Sequence, residues 1–388
     1  KLLPQRLFLG INQFPLLAIP LFILAGEIMN VGGITQRLVS FANSLVGHLR
    51  GGLAHVNIFS SILFAGLSGS AVADTSALGS ILIPAMNKGG YTKPFSAAVT
   101  AASSVIGPII PPSIIMVIYA LAMNVSVAGL FAAGLIPGLL MGIGLMIMTS
   151  IIAKKKNFPK SETRASFNEI SNSFIKAFLP LLTPLIILGG ILSGVFTPTE
   201  AAGVAVLYAL IISFLAIRTI SIADLKGILI RTGITSATVL FVVGTATVFS
   251  GIITLSGFPN KLAEFIFNIT DNIYLLLLLI NIMLLVAGMF LDAGPAILVL
   301  GPILAPTMVL LGIHPLHFAI IMCVNLTIGL VTPPIGLVLF VASSISKLKV
   351  LEISKELYPF LFVHIIIILL ITYLPEMTMI LPKLIGYY

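Results

Sequence analysis

Long, uninterrupted apolar runs dominate this sequence and restrict the folds open to it. Residues 274–291 and 360–374 contain no Asp, Glu, Lys or Arg. Over the whole chain 8% of residues are charged, whereas soluble domains carry about 25%. Backbone polar groups in lipid must be satisfied internally, which leaves helix bundles and closed barrels. Barrel strands alternate in polarity and these runs do not, so the sequence predicts an all-α integral membrane protein with a multi-helix bundle.

The apolar segments occur in an order that repeats along the chain. A bilayer crossing needs about 20 apolar residues, and several segments are shorter than that. Each half contains an amphipathic stretch, two short segments and one long segment broken by Gly and Pro. The segments are 14–29, amphipathic 33–48, 52–67, 71–86, 94–123, 127–152, 174–195, 199–217, 234–254, amphipathic 258–270, 272–291, 294–312, 316–344 and 357–382.

An internal duplication explains this order. Residues 78–86 match residues 300–308 at six of nine positions, at an offset of 222. The same offset places Gly107 and the Pro-Pro pair 111–112 on Gly329 and the Pro-Pro pair 333–334. Chance similarity does not readily pair two Pro-Pro dipeptides in this way. We therefore predict two structural halves, each with a helical hairpin and a broken transmembrane helix.

The basic residues indicate how the halves lie in the membrane. If each pair of short segments is a re-entrant hairpin and the halves are inverted, 16 of the 20 basic residues share one side. Such an excess marks the cytoplasmic side, so the charges support inverted repeats. Spanning hairpins would give the same count, so the charges do not establish re-entrance. The net charge of +8 is accounted for by these loops, and we predict no nucleic-acid partner.

The repeat also suggests a division into domains. The second half has three apolar segments before its amphipathic stretch, whereas the first has one, so we expect about two further helices before Lys1. We predict a scaffold helix and arm at 1–50, a first transport half at 51–152, a loop, scaffold helices and second arm at 153–271, a second transport half at 272–345 and a C-terminal helix at 346–388.

The two Gly/Pro breaks predict where the chemistry lies. Proline inside a helix removes a hydrogen bond and clashes with the preceding turn, and a single such site is most simply a kink. Matching breaks in two halves are typical of binding sites near the midplane of transporters. Free carbonyl oxygens there suit a hard cation such as Na⁺, and free N–H groups at half-helix N-termini suit a carboxylate.

Oxygen-bearing side chains cluster beside both breaks. Asp74 and Asp292 lie in apolar elements, where an ionisable residue is costly and points to function; each also fits a helix N-cap. Ser and Thr can instead bond to their own backbone. We assign to sodium Ser68, Ser70, Asp74, Ser103, Gly107, Asp292, Asn325, Gly329 and Thr332. We assign to substrate Thr75, Ser104, Pro111, Ser113, Thr327 and Pro333.

Several functions lack the residues they would need. The five histidines show no metal-ligand spacing, so we predict no transition metal. No phosphate-binding loop or hydrolase motif is present, and we predict no enzymatic activity. No Lys or Arg lies in the proposed core, so an anionic substrate would depend on bound Na⁺ and N–H donors. Glu27 is expected to pair with a basic residue, and Glu200 to lie structurally in the first turn of a helix.

Four strings in this chain resemble the large (M) subunit of tripartite ATP-independent periplasmic (TRAP) transporters. They are residues 14–22, residues 64–75 (FAGLSGSAVADT), residues 107–112 and residues 194–202 (GVFTPTEAA). The resemblance extends over residues 5–380. It implies an elevator-type fold, a multi-pass location in the bacterial inner membrane and a sodium-coupled carboxylate substrate. It also implies a small membrane Q subunit and a periplasmic substrate-binding P subunit, with general similarity favouring the sialic acid type over C4-dicarboxylates.

Two alternatives share the same sequence features. A stand-alone sodium/dicarboxylate-type anion symporter would contain a similar inverted repeat and paired hairpins. A channel or a structural membrane subunit would also be apolar and helical. Dependence of uptake on a secreted binding protein and on sodium separates these possibilities.

Overall fold

The computed structural model describes residues 2–160, 164–257, 261, 264 and 272–387. All regular elements in these ranges are helices, as the sequence predicted. Eight are long and apolar enough to cross a membrane. Counting all the described α-helices, the first half contains α1 (Leu2–Ile11), α2 (Ala18–Val31), α3 (Ile34–Val46), α4 (Gly52–Ser68), α5 (Ala71–Lys88), α6 (Lys93–Ser104), α7 (Ile114–Met123) and α8 (Val127–Lys155).

The second half repeats this order after three long helices. Its described helices are α9 (Phe167–Leu192), α10 (Pro198–Ile211), α11 (Ile222–Leu255), α12 (Ile273–Phe290), α13 (Ala293–Leu310), α14 (Pro315–Gly329), α15 (Leu337–Ser346), α16 (Val350–Tyr373) and α17 (Glu376–Ile385). Both predicted breaks are present, between α6 and α7 and between α14 and α15. The predicted second arm at 258–270 lies outside the described residues, apart from positions 261 and 264.

The helix boundaries differ from the apolar segments in three places. Helices α9 and α11 begin well before their apolar runs, because their first turns are polar and already helical. A capping box between Ser166 and Glu169 starts α9. The segment predicted at 357–382 is two helices, α16 and α17, because Pro375 cannot continue the first one. Helix α1, which packs on α11, was not predicted.

The base of the first hairpin, α4 and α5, lies at the end of α8. The Gly51 N–H donates to the Pro159 carbonyl at 2.9 Å. Phe158 packs against Tyr91 and Phe95, with ring centroids 4.8 and 4.7 Å apart. Lys156 pairs with Glu356 near the start of α16 at 2.5 Å. The hairpin base therefore shares one end of the bundle with the basic loop after α8.

The base of the second hairpin, α12 and α13, lies at the opposite end. The Tyr274 and Tyr373 rings are 5.9 Å apart, and the Tyr373 hydroxyl donates to the Tyr274 carbonyl at 2.9 Å. Tyr373 ends α16, whereas Glu356, beside the first hairpin, lies near its start. The two hairpins thus enter the bundle from opposite ends, which is the predicted inversion.

The two halves interlock around their tips. Helix α5 packs against α15, and by the same pseudo-symmetry α13 packs against α7. The tips, residues 68–70 and 292–295, line one shared cleft. Because the bases lie at opposite ends and the tips meet, each hairpin turns back inside the bundle instead of crossing it.

Helices α2, α10 and α11 form a second group on the other side of the cleft. Helix α2 packs against both α10 and α11. Helix α10 begins with a capping box in which the Thr197 N–H donates to Glu200 at 2.8 Å and the Glu200 N–H donates to the Thr197 hydroxyl at 3.3 Å. This satisfies two free N–H groups of the first turn and confirms the structural role predicted for Glu200.

Cysteine labelling tests the inversion directly. In a chain with the buried Cys323 replaced, Lys88→Cys and Lys154→Cys are expected to react with a membrane-impermeant maleimide from one side only. Leu310→Cys, 59% exposed at the base of the second hairpin, is expected to react from the other side. The extent of labelling is measured in whole cells and compared with that in permeabilised cells. Labelling of positions 88 and 310 from the same side would contradict the inverted arrangement.

Candidate functional site

The shared cleft has a volume of about 380 Å³ and lies where the two hairpin tips meet α2, α7 and α11. One wall consists of the tips and α7. The facing wall consists of α2 and α11, with Ile23, Gly26, Glu27 and Asn30 from α2, and Thr235, Thr238, Val239 and Val242 from α11. The cleft therefore lies between the hairpin tips and the wall formed by α2 and α11, and α11 also packs directly against α13.

The cleft opens toward the basic end of the bundle. Asn30 lies at the end of α2 that leads into α3, and its side chain is exposed. Ala73 and Ser76, on the opposite wall, are exposed as well. Beyond the tips, toward the other end, Ile19, Val243 and Leu298 are buried. If the basic end is cytoplasmic, this conformation faces the cytoplasm.

The first tip is shaped by Gly69, which ends α4 with φ of +60°. A side chain is strained at this φ, and a Cβ there would also lie 3.1 Å from the Pro112 carbonyl oxygen and from the Ile114 nitrogen. Glycine thus lets the tip rest on the broken segment. Ser70 caps α5, with its hydroxyl accepting from the Ala73 N–H at 3.4 Å. The N-terminal end of α5 lines the cleft, where its first-turn N–H groups suit an anion.

Asp74 lies one turn into α5 and is fully buried, so Ser70 and not Asp74 is the N-cap. Its Oδ1 accepts a hydrogen bond from the Ser68 hydroxyl. Its Oδ2 has no hydrogen-bond partner among the described residues. Asp74 adjoins the first break, because a Cβ on Gly107 would meet its carboxyl group. A buried carboxylate oxygen without a partner is costly, and a hard cation with oxygen ligands would fit this position.

Behind Asp74, polar side chains join both α4 and α5 to α6, the first part of the broken helix. The Thr75 hydroxyl donates to the Ser104 hydroxyl at 2.7 Å, and the Ser61 hydroxyl donates to the Ser103 hydroxyl at 2.8 Å. The Asn57 amide donates to Thr100 at 2.6 Å and accepts from Ser103 at 3.2 Å. Sequence reasoning missed Asn57, Ser61 and Thr100, although an Asn inside an apolar segment was a visible signal.

The last part of the first break supports α7 and does not line the cleft. Ser113 caps α7, accepting from the Met116 N–H at 3.3 Å and donating to the Pro108 carbonyl. Pro111 is buried beside Gly66. Both Pro-Pro bonds, 111–112 and 333–334, are cis. Within the first break, between α6 and α7, Pro108 lines the cleft.

In the second half, Asp292 is the N-cap of α13. Its Oδ1 accepts from the Ala293 N–H at 2.8 Å, as the capping interpretation expected. It is exposed and lines the cleft. Asp292 thus differs from Asp74, which is buried and does not cap its helix.

A second buried polar network lies at the second break. The Asn325 amide donates to Asn281 at 2.8 Å, and the Asn281 amide donates to Thr372 at 3.0 Å. The Asn325 Oδ1 is buried and has no partner among the described residues. Asn281 and Thr372 were not predicted. Among the described residues, each half thus contains an unsatisfied buried oxygen near its break, on Asp74 in the first and on Asn325 in the second.

The remaining predicted residues of the second break are not part of the cleft lining, although their neighbour Leu330 is. Gly329 packs backbone to backbone against Gly288. Thr327 and Thr332 donate to the carbonyls of Cys323 and Ile328, at 2.6 and 2.8 Å, so both bond to their own helix backbone.

The cleft thus contains part of the predicted site. Ser68, Ser70 and Asp292 line it, whereas the residues assigned to sodium at 74, 103, 107, 325, 329 and 332 lie behind its surface. The residues assigned to substrate, Thr75, Ser104, Pro111, Ser113, Thr327 and Pro333, also lie outside the lining. Their contact with substrate stays a prediction.

The charges around the cleft are unbalanced. Among the residues that the structure describes, its lining contains two acids, Glu27 and Asp292, and no Lys or Arg. Glu27 accepts from the Arg231 Nε at 2.8 Å, which confirms that Glu27 has a basic partner. An anion in the cleft therefore meets N–H donors and carboxylates, with no basic side chain in the lining.

Comparison with known proteins places this arrangement in a family. The sequence model described as "Tripartite ATP-independent periplasmic transporter, DctM component" matches residues 1–377. The sialic acid TRAP transporter large permease protein SiaM of Vibrio cholerae is 43% identical over 387 residues, covering 99% of this chain and 90% of that protein. The C4-dicarboxylate TRAP transporter large permease protein DctM of Pseudomonas aeruginosa is 40% identical over 381 residues, covering 98% and 89%.

A solved structure supports the fold. The crystal structure of the Alcanivorax borkumensis YdaH transporter superposes with a TM-score of 0.69 at 15% identity, covering 94% of this chain and 86% of that one. At this identity the likeness concerns the fold alone. The relatives found by sequence bear the names of transporter permeases and not of enzymes. Their extent and the family match show that this multi-pass membrane chain belongs to the DctM-component family, the large permeases of tripartite ATP-independent periplasmic transporters.

Proposed function

We propose that this permease carries a small organic carboxylate together with sodium across the bacterial inner membrane. The observation that carries the proposal is the fully buried Asp74, whose Oδ2 has no partner among the described residues and adjoins the first break. A bound cation would supply the missing positive charge. Asp74, Ser68 and carbonyls between Ser103 and Gly107 would be its ligands in the first half.

The second cation position in this proposal lies at the second break. Asn325 Oδ1 and carbonyl groups near Gly329 and Thr332 would hold it without a carboxylate. Because these ligands are neutral, a site with a bound cation would have a net positive charge. An anionic substrate would then neutralise that charge. Coupling follows because the substrate is attracted only when the cation is present.

The substrate class rests on the relatives and on the cleft. Names of the relatives include sialic acid and C4-dicarboxylates, both of which are carboxylates. The cleft offers the Ser70 hydroxyl and the N-terminal turns of α5 and α13 to such a group. We favour the sialic acid type over the C4-dicarboxylate type.

The partners follow from the tripartite family. A small membrane Q subunit would complete the scaffold, and a periplasmic P subunit would deliver the substrate. An elevator motion suits this architecture, because the interlocked hairpins and broken helices lie on one side of the cleft and α2 and α11 on the other. Membership of a tripartite family disfavours the alternative of a stand-alone symporter.

Uptake into proteoliposomes tests the proposed function. The chain is reconstituted with its small subunit, and sialic acid and succinate are offered with their binding proteins. We expect uptake of one of them only with an inward sodium gradient and only with the binding protein present. Uptake that is equal in potassium would contradict sodium coupling, and uptake without the binding protein would favour the stand-alone symporter.

A further inference from the structure

The ion pair between Glu27 and Arg231 joins the two scaffold helices that face the hairpin tips. Glu27 lies on α2 and lines the cleft, and Arg231 lies on α11, one turn before the lining residue Thr235. Their side chains are 28% and 51% exposed, so the pair is partly hydrated. Among the described residues, it is the one ion pair that includes a cleft-lining side chain.

The position of the pair matters because of the charge around it. In the described part of the chain, the lining contains Glu27 and Asp292 and no basic residue. Two carboxylates beside the path of an organic anion repel it, because like charges at close range suppress association. Arg231 removes this repulsion at Glu27. Its bond uses Nε alone, and the other guanidinium N–H groups have no acceptor among the described residues.

We propose that Glu27 and Arg231 form a charge-balancing pair at the mouth of the cleft and act as positioning residues for the anion. Arg231 prevents Glu27 from repelling a carboxylate that passes the mouth. Glu27 in turn occupies Arg231, so that the guanidinium does not retain the carboxylate and delay its release. The anion class rests on the proposed function, whereas the charge balance does not depend on it.

A purely structural role makes a different prediction. If the pair only held α2 against α11, removing either partner would have the same effect. If the pair balances charge, removing Glu27 makes the mouth more positive and removing Arg231 makes it more negative. The single substitutions then have opposite effects, and the double substitution restores balance.

The chain offers a matched control pair. Lys156 and Glu356 also join two helices, at 2.5 Å and with 35% and 28% exposure. They lie at the base of the first hairpin, outside the cleft lining. Glu356→Gln and Lys156→Met remove a comparable ion pair without changing the charge of the mouth.

Thiol modification measures the local potential without any substrate. Asn30→Cys, one turn beyond Glu27 and exposed in the cleft, serves as reporter in the complex with Cys323 replaced. Its reaction rates with an anionic and a cationic methanethiosulfonate reagent are compared. We expect Glu27→Gln to raise the anionic-to-cationic rate ratio roughly three- to tenfold and Arg231→Met to lower it by a similar factor. The double substitution should return it close to the starting ratio.

The outcomes separate the hypotheses. A ratio unchanged in both single variants, or shifted in the same direction, overturns the charge-balancing role. A shift in Glu356→Gln equal to that in Glu27→Gln also overturns it, because Glu356 does not line the cleft. Elution of each variant as a monodisperse complex shows that it is folded.

Transport kinetics test the consequence for the anion. With sialic acid or succinate as probe, Arg231→Met should raise the KM roughly three- to tenfold. Glu27→Gln should lower the KM and also lower kcat, because release is slowed. A rise in KM in both variants would contradict the proposal. If the unsubstituted complex transports neither probe, the proposed substrate class fails, while the thiol rates still decide the charge balance.

Discussion

Replacing Asp74 by Asn is expected to abolish most sodium-driven uptake while leaving the protein folded. The amide has nearly the same shape and can still accept from Ser68, but it removes the charge beside the proposed cation. Removing one partner of a buried ion pair costs about 3 kcal/mol, which is roughly a 100-fold loss of sodium affinity. Sodium titration of uptake in proteoliposomes measures the shift. At high sodium a part of the uptake should return, because only the affinity is reduced.

Asp224→Asn is the matched control for this change. Asp224 lies in the first turn of α11, is exposed, and accepts from the Ser221 N–H at 2.8 Å. The Asp224→Asn substitution removes the same negative charge, but Asp224 lies outside the cleft lining. The sodium dependence of uptake should therefore be unchanged. An unaltered sodium dependence in Asp74→Asn would remove the carboxylate from the proposed cation site. Ser70→Ala is expected to impair uptake less, because Ser70 supplies a neutral hydroxyl.

Replacing Gly329 by Ala is expected to destabilise the second half strongly. The added Cβ would lie 2.5 Å from the Cα and carbonyl carbon of Gly288 and 2.9 Å from the Leu285 carbonyl oxygen. These are backbone atoms of α12, which cannot move aside as a flexible side chain would. Overpacking costs about 1–3 kcal/mol, and we expect the upper end here because two helix backbones must separate. Thermal unfolding of the purified chain in detergent measures the loss as a lower Tm.

Gly203→Ala is the control for the glycine substitution. A Cβ on Gly203, in the middle of α10, would meet no atom within 4 Å. Alanine is the better helix former by about 1 kcal/mol, so stability should stay the same or rise. A Gly329→Ala chain as stable as the Gly203→Ala chain would show that α12 and α14 can separate at little cost.

The two glycines at the breaks illustrate how a duplicated sequence can serve different purposes. Gly107 and Gly329 are equivalent by the 222-residue offset. Gly107 makes room for the Asp74 carboxylate, whereas Gly329 makes room for the α12 backbone. The position equivalent to Asp74 is Ala296. The two proposed cation sites therefore differ in charge, although their backbone breaks correspond.

Much of the architecture could be predicted from local sequence patterns. Hydropathy identified the membrane helices, because apolar length and the absence of charge are properties of contiguous residues. The Gly/Pro breaks and the duplication were visible for the same reason. The patterns were less reliable at helix ends, where polar first turns extended α9 and α11 and Pro375 divided the last segment.

The candidate site was predictable only in part. An acid inside an apolar element identified both Asp74 and Asp292 as candidates, because this signal depends on neighbours in the chain. The choice between the capping and buried roles of Asp292 and Asp74, and the positions of Thr75, Ser104, Ser113 and Thr327 outside the cleft lining, depended on how the hairpins pack. No local pattern pairs Asn281 with Thr372 or Glu27 with Arg231, since these partners are far apart in sequence.

The apolar runs by themselves determined that this chain is a helical membrane protein, because lipid allows few other ways to satisfy a backbone. The sequence also determined the repeat, the breaks and the presence of two acids in apolar elements. Only the tertiary structure decided that the two tips line one cleft, that Asp74 and Asn325 each retain an unsatisfied oxygen, and that Arg231 offsets Glu27. These features arise from the packing of helices distant in sequence, which side-chain patterns along the chain do not encode.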